Sequence, residues 1–343
     1  MEIGEIQTPV GEVRRVSTTL TSMDKLDGCK ARWGINRYNY KISPGIYAVG
    51  NPDDKAPVLV TANYKLTFDH LRRQLKELNL WILVIDTKGI NVWCAAGKGT
   101  FGNYELLKVL NKVKLKEIIS HNTLILPQLG APGVSAQAIK KAGFEVVYGP
   151  VRAEDIREYL NNRLVKTESM REVEFKFRDR LILTPMEFIP DLKYALPFLP
   201  ILFIFNLFVR GNIGIIKITE ITLINYLPLF ISLIIGSVLV PILLPYIPFR
   251  AFALKGLSLG VIWSLIFLKY LNLFLIQNNI LVKTSYILFM LFISSYTALQ
   301  FTGSSTYTSF SGTTKETVYS IIAGALFCSI GIVLLIIYKI SLL

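Results

Sequence analysis

Histidine and cysteine are scarce: the chain has two of the first, His70 and His121, and three of the second, Cys29, Cys94 and Cys328. Three scattered cysteines exclude a disulfide framework and cannot hold a four-cysteine iron–sulfur cluster. With Cys328 among long apolar runs and Cys94 in the polar half, they suit a reducing compartment. Charge is also missing, but only from one part. Residues 194–343 carry 8 Lys/Arg and 2 Asp/Glu, against 29 and 22 in residues 1–193. A hydrophobic fraction of 52% rules out a disordered scaffold, and the charge-poor half reads as a membrane domain. The net charge of +13 does not imply a nucleic-acid partner. Part of it is loop charge between spans, and no RNA-binding aromatic motif, zinc finger or basic repeat appears. No cleavable signal peptide is expected, because the first long apolar run lies far downstream.

The organisation follows from where the patterning changes. Residues 1–45 are mixed and polar and read as a lead-in. Residues 46–165 alternate short apolar runs with amphipathic stretches. GIYAVG (45–50), PVLVTAN (57–63), WILVIDT (81–87), TLILPQLG (123–130) and FEVVYGP (144–150) read as strands, and residues 68–78, 103–113, 135–142 and 153–164 as helices. This alternation predicts an α/β, Rossmann-like, mainly parallel sheet with ligands beyond the strand carboxyl ends, in the turns after Val60, Ile85 and Leu126. Residues 166–193 are highly charged and read as a neck. An α-helical transmembrane domain, residues 194–343, then holds about five spans: 194–209, 223–247, 253–276, 285–300 and 318–340. Pro228, Pro241, Pro245 and Pro248 predict a kinked second span. Basic residues Arg171, Lys176, Arg178, Arg180 and Lys193 favour a cytoplasmic first half in a cytoplasmic-membrane protein, with residues 302–316 on the same face.

DTKGINVWCAAGKGTFG (86–102) carries the most chemical information. A buried strand ends near Asp86, and a short Ala-rich helix then displays Cys94 at its start, where negative charge is favoured and Lys98 adds positive charge. A thiolate there is a nucleophile or soft metal ligand; as a thiol it is a small buried hydrophobe. Gly89, Gly97, Gly99 and Gly102 permit close backbone approach to a flat or phosphate-bearing ligand. Residues 97–102 also spell G-x-G-x-x-G, but they stand well past the strand end and lack the acidic residue expected about 20 positions on, so a dinucleotide site is rejected. Trp93 is assigned to packing or to a ring edge, and Lys98 to solvent or to a ligand phosphate.

NVWCAAGK (91–98) resembles the cap-helix signature of the mercury-methylating corrinoid proteins, a membrane-bound family of bacteria and archaea. The similarity extends to PVLVTANYKLTFD (57–69), the whole of 81–102, LPQLGAPGVSA (126–136), VVYGPVRA (146–153) and TGSSTYTSFSG (302–312). Corrinoid iron–sulfur proteins of acetyl-CoA synthesis share the soluble fold but neither the cysteine nor the membrane tail. The resemblance implies a cobalamin-type corrinoid with its base detached and the Cys94 thiolate as the lower cobalt ligand. Gly89, Asn91, Val92, Trp93, Ala95, Ala96, Gly97 and Lys98 would cover one corrin face, with Ala95 and Ala96 allowing close approach. Thr61, Asn63, Gln128, Leu129, Gly130, Ala131 and Gly133 would line the pocket for ring and nucleotide tail. A histidine ligand is unsupported, since Asp69 directly precedes His70 and the D-x-H-x-x-G spacing is absent. The implied reaction passes a methyl group from methyl-Co(III) to Hg(II), making methylmercury. A small ferredoxin with two 4Fe-4S clusters supplies electrons, and a folate-linked methyltransferase supplies the next methyl.

Two other readings stay open: a corrinoid methyl carrier with a non-mercury acceptor, and a non-enzymatic corrinoid-binding membrane module. The loop 302–312 is rich in Ser and Thr; it either caps two span ends or, facing the corrinoid domain, guides substrate. Cys328 reads as inert packing, and Cys29 as a remote thiol able to bind mercury.

Overall fold

The computed structural model describes residues 1–210, 214–274, 276–305, 308 and 310–341, and divides into two compact units, Met1–Glu174 and Phe175–Leu343. In the first unit the elements run β1 (Glu2–Thr8), β2 (Gly11–Val16), α1 (Ser22–Arg32), β3 (Gly45–Val49), β4 (Val58–Ala62), α2 (Lys65–Gln74), β5 (Leu80–Ile85), α3 (Val92–Gly97), α4 (Asn103–Lys112), α5 (Leu115–Ile118), β6 (Thr123–Leu126), α6 (Ala136–Lys141), β7 (Glu145–Tyr148) and α7 (Ile156–Asn161). They build a seven-stranded mixed sheet in the order β1-β2-β3-β5-β4-β6-β7. Strands β5, β4, β6 and β7 are parallel neighbours. β4 and β5 are buried along their whole length, as their mostly apolar runs require of central strands covered on both faces.

Two layers of side chains enclose the sheet. On one face Val58, Val60, Leu83, Ile85, Leu124 and Leu126 pack under α3 to α6. On the other, Leu59, Ile82, Val84 and Ile125 meet Phe68, Leu71 and Leu75 of α2 and Ile156 and Tyr159 of α7. A closed ionic cluster holds α1 against α2. Arg72, fully buried, reaches Asp69 Oδ1 at 2.7 Å and Asp24 Oδ2 at 2.9 Å, while Lys65 Nζ reaches Asp69 Oδ2 at 2.6 Å and Asp24 Oδ1 at 2.7 Å.

One strand departs from the mainly parallel sheet, and one sequence expectation is corrected here. β3 runs antiparallel to β5, with Gly45 opposite Val84 and Val49 opposite Leu80. It enters β4 through a helix-free connection, whereas a parallel arrangement is built with a crossover. Residues 1–45, read as a lead-in, contain an antiparallel hairpin that extends the sheet and a helix capped by Thr21. β1 is mostly exposed on both faces, so its sequence carries no buried-strand alternation.

The second unit consists of α8 (Phe177–Ala195), α9 (Phe198–Arg210), α10 (Ile215–Ile234), α11 (Val240–Leu243), α12 (Phe252–Lys269), α13 (Ile280–Gln300) and α14 (Phe310–Ile340). Five helical segments are long and apolar enough to cross a membrane: Phe177–Phe208, Ile215–Leu243, Phe252–Lys269, Ile280–Ser304 and Ser311–Ile340. The stretch read as a charged neck therefore continues as helix from Phe177. The kink expected in the second span appears as a π-helical turn, Ile235–Leu239, just ahead of Pro241. Close helix approach rests on glycine: a Cβ on Gly256 would lie 2.2 Å from the Ser294 carbonyl oxygen. In the Ser/Thr-rich loop, Thr302 and Ser305 are buried and Thr308 Oγ1 donates to Thr302 O at 3.0 Å. Thr306, Tyr307 and Ser309 lie outside the described residues.

Candidate functional site

The chain leaves β4 toward β5 on one side and returns past it to β6 on the other, so strand order reverses at β4. A crevice at the carboxyl ends of β4 and β6 is where such sheets hold ligands. Three segments border this edge: the residues after Ala62, the turn after Ile85, and the 3-10 turn Gln128–Gly130.

The turn after β5 is held from β4. Asn63 is buried, and its amide Nδ2 donates to Asp86 Oδ1 at 3.0 Å. Its Oδ1 accepts from Thr87 N at 3.0 Å, Thr87 Oγ1 at 2.9 Å and Gly89 N at 3.0 Å. Lys88 and Gly89 both have left-handed backbones, with φ of 60° and 75°. At Gly89 a Cβ would also stand 3.2 Å from Tyr38 O, so glycine serves the turn itself. Burial raises the Asp86 carboxyl, but hydrogen bonds from the Lys88 side chain and amide and from Asn63 outweigh it and hold the group below its ordinary range.

That turn delivers the chain to α3. Asn91 is its N-cap, and Asn91 Oδ1 accepts the Cys94 N–H at 2.9 Å. Helical geometry then sorts the side chains. Val92, Ala95 and Ala96 are buried, Trp93 is 39% exposed, Gly97 and Lys98 are exposed, and Cys94 lies between them, half-buried, with its thiol free. The packing role for Trp93 is not seen. Ala95 and Ala96 join the core beside Phe101, and their small size lets α3 close on the Gln128–Gly130 turn. Lys98 stands at the C-terminal end of α3, its N–H on Cys94 O at 3.1 Å, and is thus not at a helix start.

The glycines divide into two groups. Gly102, Gly130 and Gly133 are packing positions: a Cβ would lie 2.9 Å from Gly99 O, 2.5 Å from Phe101 Cε1 and 2.0 Å from Phe101 O respectively. Gly99 needs its positive φ of 78°. Gly97 has an ordinary backbone, and nothing lies within 4 Å of its would-be Cβ, so the surface beside Cys94 is open there.

Thr61 is buried in β4 opposite Val84. Gln128 accepts from the Lys166 ammonium through Oε1, while Leu129 and Ala131 are half-buried along the same turn. The two histidines are elsewhere: His70 is exposed on α2, and His121 Nε2 lies 3.0 Å from Ala56 O at the amino edge of the sheet. Among the described residues no three His, Cys, Asp or Glu side chains gather that could hold a metal ion.

Two residues that sequence reasoning passed over belong to this edge. Tyr64, directly after β4, is 3% exposed, and its hydroxyl has no partner among the described residues. The Arg37 guanidinium lies 5.3 Å over its ring, and burial pushes the phenol up. Lys166, beyond α7, lines an open cleft of about 400 Å³ with Asn161, Asn162, Arg163, Val165 and Thr167. Burial pushes its ammonium down. The only sequence signal for Tyr64 was its place at a strand's carboxyl end; Lys166 had none.

Comparison with known proteins bears on this unit. Residues 36–160 match the family model for the CO dehydrogenase/acetyl-CoA synthase delta subunit. The acetyl-CoA decarbonylase/synthase complex subunit gamma of Methanopyrus kandleri is 30% identical over 122 residues, 35% of this chain and 26% of the relative. That of Methanocaldococcus jannaschii is 30% identical over 123 residues, covering 35% and 25%. Subunit gamma 2 of Methanosarcina thermophila reaches 34% over 110 residues, covering 31% and 23%. The chain thus spans about a quarter of the length of these curated relatives.

Proposed function

We propose that this chain is a membrane-anchored corrinoid protein that transfers a methyl group to Hg(II), and that the Cys94 thiolate would hold the corrinoid's cobalt. The observation that carries the reading is the free, half-buried Cys94 on a helix whose opposite face is locked into the core, beside the open surface at Gly97. The donor set fits a metal whose other ligands come from a macrocycle. Bound there, a corrinoid supplies a transferable methyl group, and thiolate ligation supplies the electron density that favours its passage to a thiophilic cation. The protein's own part is positional. Asn63 fixes the turn, Asn91 fixes the first turn of α3, and Val92, Ala95 and Ala96 set the height of Cys94 above the sheet. Tyr64, directly after β4, and Lys166, bonded to Gln128, add polar groups near this edge of the sheet. A small ferredoxin with two 4Fe-4S clusters is the proposed electron donor and a folate-linked methyltransferase the methyl source. The first unit faces the cytoplasm and the helical unit lies in the membrane.

The match to acetyl-CoA decarbonylase/synthase gamma subunits favours one second reading: the same corrinoid design carrying its methyl group to an acceptor other than mercury. Anaerobic incubation of the full chain and ferredoxin with methylcorrinoid and Hg(II) separates the two. Methylmercury should form with the wild type, and Cys94→Ala should keep corrinoid and form none. Retention of the methyl group by the loaded wild type in the presence of Hg(II) would favour the second reading. Undiminished turnover by Cys94→Ala would overturn the role of the thiolate.

A further inference from the structure

Residues 22–41 gather apolar side chains on the outside of the first unit. Five of the ten large apolar residues exposed in Met1–Glu174 lie between positions 23 and 38: Met23, Leu26, Trp33, Ile35 and Tyr38. Helix α1 and its C-cap sort three of them. At about 100° per residue, Met23, Leu26, Lys30 and Trp33, spaced i, i+3, i+7 and i+10, fall on one face. Gly28 and Ala31 are buried on the opposite face, Gly28 against Leu66 of α2. Gly34, left-handed at φ 75°, ends the helix: its N–H donates to Ala31 O at 3.2 Å, and the N–H of Ile35 donates to Lys30 O at 2.9 Å. That pair of bonds folds the chain back over the last turn and returns Ile35 beside Lys30. Exposed apolar residues scattered singly need no partner, but a cluster of this kind marks an interaction surface.

The charges around the cluster select its occupant. Residues 22–41 hold five basic side chains, Lys25, Lys30, Arg32, Arg37 and Lys41, and two acidic ones. Both acids are already answered: Asp24 turns inward to Lys65 and Arg72, and Asp27 lies 3.5 Å from Lys30 Nζ. The surface is therefore apolar and cationic together, and Trp33 and Tyr38 are rings of the kind that settle at a headgroup boundary. A second copy of the chain fits it poorly, because a two-fold interface would set these cations against one another. Lipid is also close along the chain: the first unit ends at Glu174, and the first candidate span opens at Phe177. We propose that the face of Met23, Leu26, Trp33 and Ile35, with Lys25 and Lys30, docks on the anionic headgroups of a phospholipid bilayer. The apolar side chains enter the boundary between headgroup and acyl chain, and the lysine stems lie along it with their ammonium groups at the phosphates. This inference does not depend on what Cys94 binds.

The test reconstitutes the full chain in lipid nanodiscs, of phosphatidylcholine alone or of phosphatidylcholine mixed with phosphatidylglycerol, and follows hydrogen–deuterium exchange. Backbone amides of residues 22–38 should exchange several-fold more slowly in the anionic discs than in the neutral ones, while those of α6 should not differ. Added salt should reduce the difference by screening it. Lys25→Gln combined with Lys30→Gln should abolish the difference, and Leu26→Ser combined with Trp33→Ser should weaken it. Should a variant fail to fold, the wild-type comparison decides alone. Equal exchange of residues 22–38 in the two kinds of disc, or an undiminished difference in the Lys25→Gln, Lys30→Gln chain, would overturn the proposal. So would slowing that ignores lipid charge and needs an added acidic protein, which would make the cluster a protein interface.

Discussion

Replacing Asn63 by Ala tests whether the site is set from β4. Truncation removes the acceptor of two buried backbone amides, Thr87 N and Gly89 N, and of the Thr87 hydroxyl, and it removes the donor to Asp86. A buried donor left without a partner costs about 1–3 kcal/mol, so the two amides imply about 2–6 kcal/mol, part of which water entering the vacated space recovers. Taking the lower bound, opening of the turn should become about 30-fold easier. Hydrogen–deuterium exchange of the full chain in detergent reads this directly. Peptides covering residues 86–98 should exchange about 30-fold faster or more, while those from β6 and β7 should not change. Corrinoid retention should fall in parallel. Asn63→Asp keeps an acceptor but sets a carboxylate against Asp86, so its exchange should be intermediate at neutral pH and approach the wild type on acidification. Unaltered exchange in Asn63→Ala would refute the reasoning and leave the turn to its own internal bonds, such as Thr87 Oγ1 to Ile90 O at 2.7 Å.

Gly133→Ala should push α3 off the Gln128–Gly130 turn, because its Cβ would sit 2.0 Å from Phe101 O and 3.1 Å from Ala96 Cα. Overpacking of this kind costs about 1–3 kcal/mol, read as a lower unfolding temperature and weaker corrinoid binding. Gly97→Ala is the contrasting variant: it meets nothing within 4 Å and should leave the fold intact, so weakened corrinoid binding would mark this surface as covered by the ring, and unchanged binding would place the ring elsewhere. For Asp24, burial raises the carboxyl, but hydrogen bonds from Lys65, Thr21 and Arg72 outweigh it and hold the group well below the carboxylate range. Its folded pKa lies below the unfolded value of about 3.9, so its contribution is full above that value and is lost as pH falls through it and beyond. Asp24→Asn should remove that part of the acid dependence of unfolding, and an unchanged acid limb would contradict the ionic cluster's role.

The parts that were legible in the sequence are those set by local pattern. β4 and β5 announced themselves as short apolar runs, and α4 by its spacing of Leu106, Val109 and Leu110. Cys94 stood out because a short small-residue helix begins where a buried strand has just ended. What stayed hidden depends on long-range geometry. Asn63 reads as a pocket-lining residue until its bonds to positions 86–89, more than twenty residues away, are seen. Strand β1 is exposed along most of its length, and the direction of β3 leaves no trace in periodicity. Glu187 and Asp191 were absorbed into a stretch read as a neck because charge density concealed the helix that carries them toward Gln300 and Ser304.

The central claim is that one sulfur ligates cobalt, and X-ray absorption at the cobalt edge of the corrinoid-loaded full chain tests it most directly. The account predicts a cobalt–sulfur shell in the wild type that vanishes in Cys94→Ala while corrinoid stays bound. A first shell of nitrogen and oxygen alone, identical in both proteins, would contradict it.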